Sequence, residues 1–194
     1  MSLVKQLSLF GVEAAPPTPA DLAGLLAGPG QIVRMGGTAR VSVVVADRWR
    51  ALALIAEMRL RGLAATAVST VEENFGVRTP YSTALAPLAA GWLHGAVTRP
   101  PAGFALDGRR VRLWLIAAGH REGNDVTLRL GRVEEQVPRI MQRALASLGL
   151  PSDMVGSVAR ASGAGLRISG RRRLNRLAEV VGDAPVHAPE GEWP

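Results

Sequence analysis

The sequence predicts an α+β protein built from two tandem αββαββα repeats related by a pseudo-twofold. Three observations predict it. Residues 39–63 and 126–150 align without a gap at an offset of 87, so that Val41 falls on Leu128, Val43 on Leu130, Leu54 on Met141, Met58 on Leu145, Gly62 on Gly149 and Leu63 on Leu150. Each copy is preceded by a short apolar segment rich in small residues, LAGLLAGPG (22–30) and RLWLIAAGH (112–120). Each is followed by a Gly-Val-Arg or Gly-Leu-Arg strand and an amphipathic stretch ending in glycine, at Gly95 and Gly182. A duplicated unit buries its apolar face against its own copy, so the repeat fixes the architecture before any motif is read.

Residues 1–19 read as an arm and linker, because EAAPPTPA favours extended backbone. The first repeat spans 20–100. Asp21 can cap a helix over 22–28, which Pro29-Gly30 stops. QIVRM and ARVSVVV around Gly36-Gly37 predict a hairpin. Residues 47–63 form a helix between Asp47 and Gly62, strands cover roughly 64–80, and a short helix over 85–93 closes the repeat. The second repeat spans 101–184 in the same order: a helix over 109–119, strands near 125–132, and a helix over 134–148 that tolerates Pro138 in its first turn. Strands near 154–160 and 164–169 and a helix over 171–181 complete it. Residues 185–194, polar and proline-rich, read as a flexible tail.

With 194 residues, 47% of them hydrophobic, the chain can bury a real core. There is no cysteine, which excludes disulfides, thiolate metal sites and thiol nucleophiles. No apolar run approaches membrane-spanning length and no signal-peptide core is present, so a cytoplasmic, nucleoid-associated protein is expected. The net charge is +7 and nearly all the basic residues are arginine, Lys5 being the only lysine. Arginine pairs bidentately with phosphate, which suits a polyanionic partner. A high-GC genome would also enrich arginine, so placement has to decide.

LAGLLAGPG resembles the signature of the LAGLIDADG homing-endonuclease family, differing over Leu22 to Leu26 only by Leu26 for isoleucine. WLIAAGH (114–120) is a weaker match, and ISGRRRLNRLAEVVG (168–182) resembles the closing strand and helix of that fold. The resemblance covers residues 20–183 and implies a saddle-shaped molecule in which two signature helices pack on the pseudo-twofold axis. Small residues allow the close approach: Gly24, Ala27 and Gly28 in one copy, Ala117, Ala118 and Gly119 in the other. It also implies a divalent-metal carboxylate at the penultimate motif position, where this chain has Pro29 and Gly119. Neither side chain binds metal, and two-metal phosphodiester cleavage needs acids from both halves. The expectation is therefore a WhiA-type, non-catalytic member with no metal and no cofactor. His120, Glu122, Asp125 and Glu72-Glu73 are the acids and histidine that a relocated site would use, and they read more simply as turn residues. Asp21 and Glu134-Glu135 read as helix-start residues.

The resemblance implies that the sheets of the saddle cover DNA. The strand alternation has the matching phase: Val41, Val43, Val45, Leu128 and Leu130 face inward, leaving Arg40, Ser42, Thr127 and Arg129 outward. Arg78 follows Gly76-Val77 as Arg167 follows Gly165-Leu166, and Arg34, Arg121 and Arg160 extend the basic set. Arg171 opens the last helix with Arg172 and Arg173, where cations are disfavoured by the helix dipole and a phosphate would offset them. No aromatic side chain falls clearly on these strands, which favours duplex over single-strand binding.

Gln6-Leu7-Ser8-Leu9-Phe10 matches the bacterial sliding-clamp-binding pattern QL(S/D)LF at every position. Such a peptide buries its leucines and phenylalanine in a preformed groove, while the glutamine amide orients it. A hydrophobic N-terminal segment packing on the body is the simpler alternative. The expected protein is a monomeric double-stranded DNA binder recruited to the sliding clamp in replication or repair. The alternatives are a transcription regulator with a degenerate domain of this fold and a nuclease with relocated carboxylates. Regulators of the first kind add a helix-turn-helix domain, for which the residues outside the two repeats leave no room.

Overall fold

The computed structural model describes residues 11–12, 15–70, 72–156 and 163–194. A 3-10 turn, Pro19–Leu22, runs into α1 (Ala23–Ala27). Gly28, Pro29 and Gly30 end it: proline offers no N–H, and the Gly28 and Gly30 amides both donate to the Leu25 carbonyl, at 3.1 and 2.8 Å. β1 (Gln31–Met35) and β2 (Thr38–Val45) form the expected hairpin, with Gly36 at φ 58° in its turn. α2 (Arg48–Leu60), β3 (Thr66–Ser69), β4 (Phe75–Arg78) and α3 (Ala86–Trp92) complete the first repeat. A small hairpin of β5 (Leu93–His94) and β6 (Val97–Thr98) leads onward. Periodicity does not predict it, because two-residue strands leave no alternation to read.

The second repeat contains α4 (Gly108–Ala118), β7 (Gly119–Glu122), β8 (Asp125–Arg129), α5 (Val137–Ser147), β9 (Asp153–Gly156), β10 (Ala164–Ser169) and α6 (Arg171–Val181). β7 follows α4 without a linker. A side chain at Gly119 would lie 2.6 Å from the Leu115 carbonyl oxygen, so the corner requires glycine. The sequence places strands only near 125–132 here; the segment before them is the first strand of the hairpin. α5 starts at Val137, so Glu134 and Glu135 precede the helix rather than open it.

The strands make two antiparallel four-stranded sheets, ordered β1-β2-β4-β3 and β7-β8-β10-β9. Val41 pairs with Ile32 and Leu128 with Gly119, so both hairpins keep the 87-residue offset. One face of each sheet is closed by helices. Val41, Val43, Val45 and Val77 of the first and Val126, Leu128, Leu166 and Ile168 of the second are buried there, in one continuous core with both signature helices. α1 and α4 lie side by side at its centre, and the fully buried Trp114 indole donates to the Arg129 carbonyl at 2.8 Å, tying α4 to β8.

Beneath the sheets, the first repeat buries charges. Arg61 Nε donates to Asp21 Oδ2 at 3.0 Å, Arg61 Nη1 to Glu57 Oε2 at 2.7 Å, and Arg112 Nε to Glu57 Oε1 at 2.6 Å. Asp21 is not the cap the sequence suggests: Thr18 caps the turn, and Asp21, third within it, accepts from the Thr18 amide and anchors a network. Burial alone would push the Glu57 carboxyl up, but the hydrogen bonds and charges of Arg112 and then Arg61 outweigh it and hold the group below the ordinary glutamate range. A depressed folded pKa contributes stability that is present above the unfolded value and lost as pH falls through the folded one. The thermal midpoint should therefore drop more steeply below about pH 4.3 in the wild type than in Glu57→Gln. Parallel pH profiles for the two proteins would rule this out.

Both termini of the described chain depart from the expected freedom. The Val12 amide donates to the Val180 carbonyl at 3.1 Å, docking Gly11-Val12 on the end of α6. The C-terminal segment is a packed strap rather than a flexible tail. Trp193 is buried, its Nε1 donates to the Gly182 carbonyl at 2.8 Å, and the Arg112 guanidinium lies 5.1 Å from its ring centre. Proline and polar residues signal an irregular backbone; a single tryptophan supplies enough apolar area to hold it down.

Candidate nucleic-acid interface

The sheet faces away from the helices are open, and strand register decides what they carry. On the first sheet, Gln31, Ser42, Arg78 and Thr66 form one cross-strand row, and Val44, Gly76 and Val68 form the next toward the midline. Arg40 lies beside Val33, its guanidinium 4.7 Å from the Tyr81 ring centre. On the second sheet, His120, Thr127, Arg167 and Asp153 form one row, and Arg129, Gly165 and Val155 the next. Arg40, Ser42, Arg78, Thr127, Arg129 and Arg167 thus all lie on the open faces, as the alternation implies.

Arg34 and Arg121 do not. They pair with the fully buried Ala39 and Val126, and so lie on the helix side of their hairpins. Arg121 donates to the Trp193 carbonyl. The sequence pattern groups them by charge, whereas the period of two assigns them to the opposite face. The likeness of Arg78 to Arg167 is also incomplete. Arg78 pairs with Ser42, and the repeat equivalent of Ser42 is Arg129, which pairs with Gly165. Arg167 therefore sits one same-face step, about 7 Å, farther from the midline. Arg171 begins α6 just past the hairpin turn, where the Gly170 amide donates to the Asn124 carbonyl at 3.1 Å. Arg160 and the Gln6–Phe10 peptide lie outside the described residues.

Between the sheets, an open cleft of about 1350 Å³ runs under the ends of the signature helices, bordered by Pro29, Gly30, Ala118, Gly119 and His120. Arg50 lies against the end of α4, beside Gly119. Its Nη1 donates to the carbonyls of Leu115 and Ile116 at 3.2 and 2.9 Å, and its Nη2 to Gly119 at 2.7 Å. Asp47 and Glu192 flank it at 3.0 and 3.3 Å. A buried guanidinium thus satisfies the last carbonyls of α4, with its charge balanced by the two carboxylates. Sequence reasoning missed Arg50. The signal was a mismatch within the repeat: Arg50 aligns with Val137, so a charge stands where the other copy has a core residue. Asp21, Glu57 and Arg61 align with Gly108, Ala144 and Leu148 in the same way.

The alternative acids are dispersed. Glu122 and Asp125 face each other at the tip of the second hairpin, His120 lies one same-face step inward, and Glu72-Glu73 occupy the turn between β3 and β4. Among the described residues, no three His, Asp or Glu side chains converge as metal ligands. No helix among them is long and apolar enough to cross a membrane.

No family model and no curated protein sequence matches the chain. Solved structures do. The homing endonuclease I-WcaI, bound to its DNA recognition sequence, superposes with a TM-score of 0.63 at 8% identity, over 86% of this chain and 81% of that one. The N-terminal LAGLIDADG domain of DUF199/WhiA gives 0.59 at 13% identity, over 85% and 82%. Mesophilic variants of the homing endonuclease I-DmoI give 0.54 at 14%, over 85% and 95%. The chain has the LAGLIDADG fold, carried by the two sheets and the paired central helices.

Proposed function

We propose that this protein binds double-stranded DNA across the open faces of its two sheets without cutting it, and that the Gln6-Leu7-Ser8-Leu9-Phe10 peptide recruits it to the bacterial sliding clamp for replication or repair. The observation that carries the DNA reading is the placement of Arg40, Arg78, Arg129 and Arg167 on the open faces, on either side of a midline cleft. Phosphate contacts of this kind position a duplex and make binding salt-dependent. The DNA-bound I-WcaI structure shares the fold and supports the DNA reading.

The non-cleaving reading rests on Arg50. Pro29 and Gly119 offer no metal ligand, and the carbonyls at the end of α4 are taken up by the Arg50 guanidinium, which leaves them unavailable to a cation. Fluorescence anisotropy with a short duplex should show affinity falling as salt rises. Arg40→Ala, Arg78→Ala, Arg129→Ala and Arg167→Ala should each weaken binding and reduce the log–log salt slope by about 0.9. The duplex should stay intact with magnesium or manganese; cleavage that disappears in Glu122→Ala would replace this reading with a relocated nuclease site.

Tethering to a clamp raises the effective DNA concentration, so a modest DNA surface suffices. Titration against the sliding clamp should give binding that vanishes in a Leu9→Ala/Phe10→Ala double variant. Failure of the wild type to bind would favour the second reading, transcription regulation, which the likeness to the WhiA domain supports.

A further inference from the structure

The two open faces differ in chemistry, although the repeat makes them topological equivalents. The first sheet carries Arg40 and Arg78 and no carboxylate on its open-face strand positions, which are filled otherwise by Gln31, Ser42, Thr38, Thr66 and apolar residues. The apolar ones are unusually open: Val33 is 44% exposed, Met35 58%, Val44 55% and Val68 54%. On the second sheet His120, Glu122 and Gly131 stand at the places of Val33, Met35 and Val44, Asp125 replaces Thr38, and Asp153 lies beside Arg167. The second sheet thus sets three carboxylates against Arg129 and Arg167.

Between Val44 and Val68 lies Gly76, and a side chain there would find only ordinary van der Waals neighbours, the nearest at 3.7 Å. Its backbone lies outside the left-handed region, so neither fold nor conformation demands glycine. The effect is a shallow apolar notch flanked by valines, one row from Arg78. Apolar side chains interleaved with arginines match one feature of a duplex: the thymine C5-methyl group, which the major groove presents among hydrogen-bonding edges and phosphates.

We propose that the first sheet is the sequence-reading half of the interface, taking a thymine-rich half-site in the major groove with Val44 and Val68 packed on thymine methyls and Arg40 and Arg78 on the flanking backbone. The second sheet, whose carboxylates oppose phosphate, holds its half-site more weakly, so the bound duplex is asymmetric. This rests on the DNA-binding reading above.

The test compares a roughly 24-base-pair duplex of mixed A·T sequence with the same duplex carrying deoxyuridine for thymidine, which removes the methyl and leaves pairing and charge. Wild type should bind the thymine duplex more tightly, by about fourfold for each methyl buried. Val44→Ser/Val68→Ser should abolish the difference; Val155→Ser, on the second sheet, should keep it. Equal, salt-sensitive binding of both duplexes by wild type would overturn this inference and leave the DNA reading standing. A preference that survives Val44→Ser/Val68→Ser would overturn it too. No binding of either duplex at low salt would overturn both.

Discussion

Replacing Arg50 by methionine is expected to destabilise the protein by about 3–5 kcal/mol, the range for removing one member of a buried, hydrogen-bonded charge pair. The guanidinium is nearly inaccessible and satisfies three backbone carbonyls of the α4 end, besides meeting Asp47 and Glu192. Methionine fills much of the volume but takes the guanidinium donors from the buried Ile116 and Gly119 carbonyls, while Leu115 keeps only the Gly119 amide. The thermal midpoint should fall by roughly 10 °C for a chain of this size. Arg50→Lys should recover little, because one ammonium cannot reproduce a planar fork aimed at several oxygens. A methionine variant within about 0.5 kcal/mol of wild type, the noise of an ordinary surface change, would mean that water replaces the guanidinium at no cost.

Arg50 also marks where the sequence stopped being informative. Period-two alternation assigned Val41, Val43, Leu128 and Leu130 to the core, because strand geometry is local. That Pro29 and Gly119 stand at the penultimate place of the two motif segments was equally legible, because it needed only the sequence. The buried Arg50 at the end of α4 was not, since it reaches carbonyls 65 to 69 residues away. Arg34 and Arg121 show a different limit. Their charge suggested the DNA face, but a one-residue step along a strand reverses the side, and only the pairing with Ala39 and Val126 fixes the phase. The Trp193 strap was hidden for a third reason. Its hydrogen bonds run to the Gly182 and Arg121 backbone and side chain, partners that no local pattern in a proline-rich segment announces. The mismatches between repeats were the available clue to the buried charges, because a position apolar in one copy and charged in the other must find a long-range partner.

Two glycines inside helices give opposite expected results, and the difference comes from what lies beside them. A β-carbon at Gly24 in α1 would stand 2.0 Å from the Arg110 carbonyl oxygen and 2.7 Å from that residue's carbonyl carbon and Cα. These are backbone atoms of α4, so no side-chain rotation relieves the overlap, and the two helices would have to separate. Trp114, one turn along α4 and packed against Gly28, blocks a simple slide, because a β-carbon at Gly28 would already lie 2.6 Å from its ring. Gly24→Ala is therefore expected to cost about 3 kcal/mol or more, at the upper end for overpacking a core. A β-carbon at Gly91 in α3 meets nothing within 4 Å. Gly91→Ala should stabilise by about 0.5–1 kcal/mol, because alanine loses less backbone freedom on forming a helix. Urea unfolding of both variants checks the pair. A Gly24→Ala protein as stable as wild type would mean that the central helices do not pack as closely as described. Because both sheets hang from those helices, a folded Gly24→Ala variant should also bind a duplex more weakly than wild type at equal salt, since parting α1 from α4 changes the spacing of the two open faces.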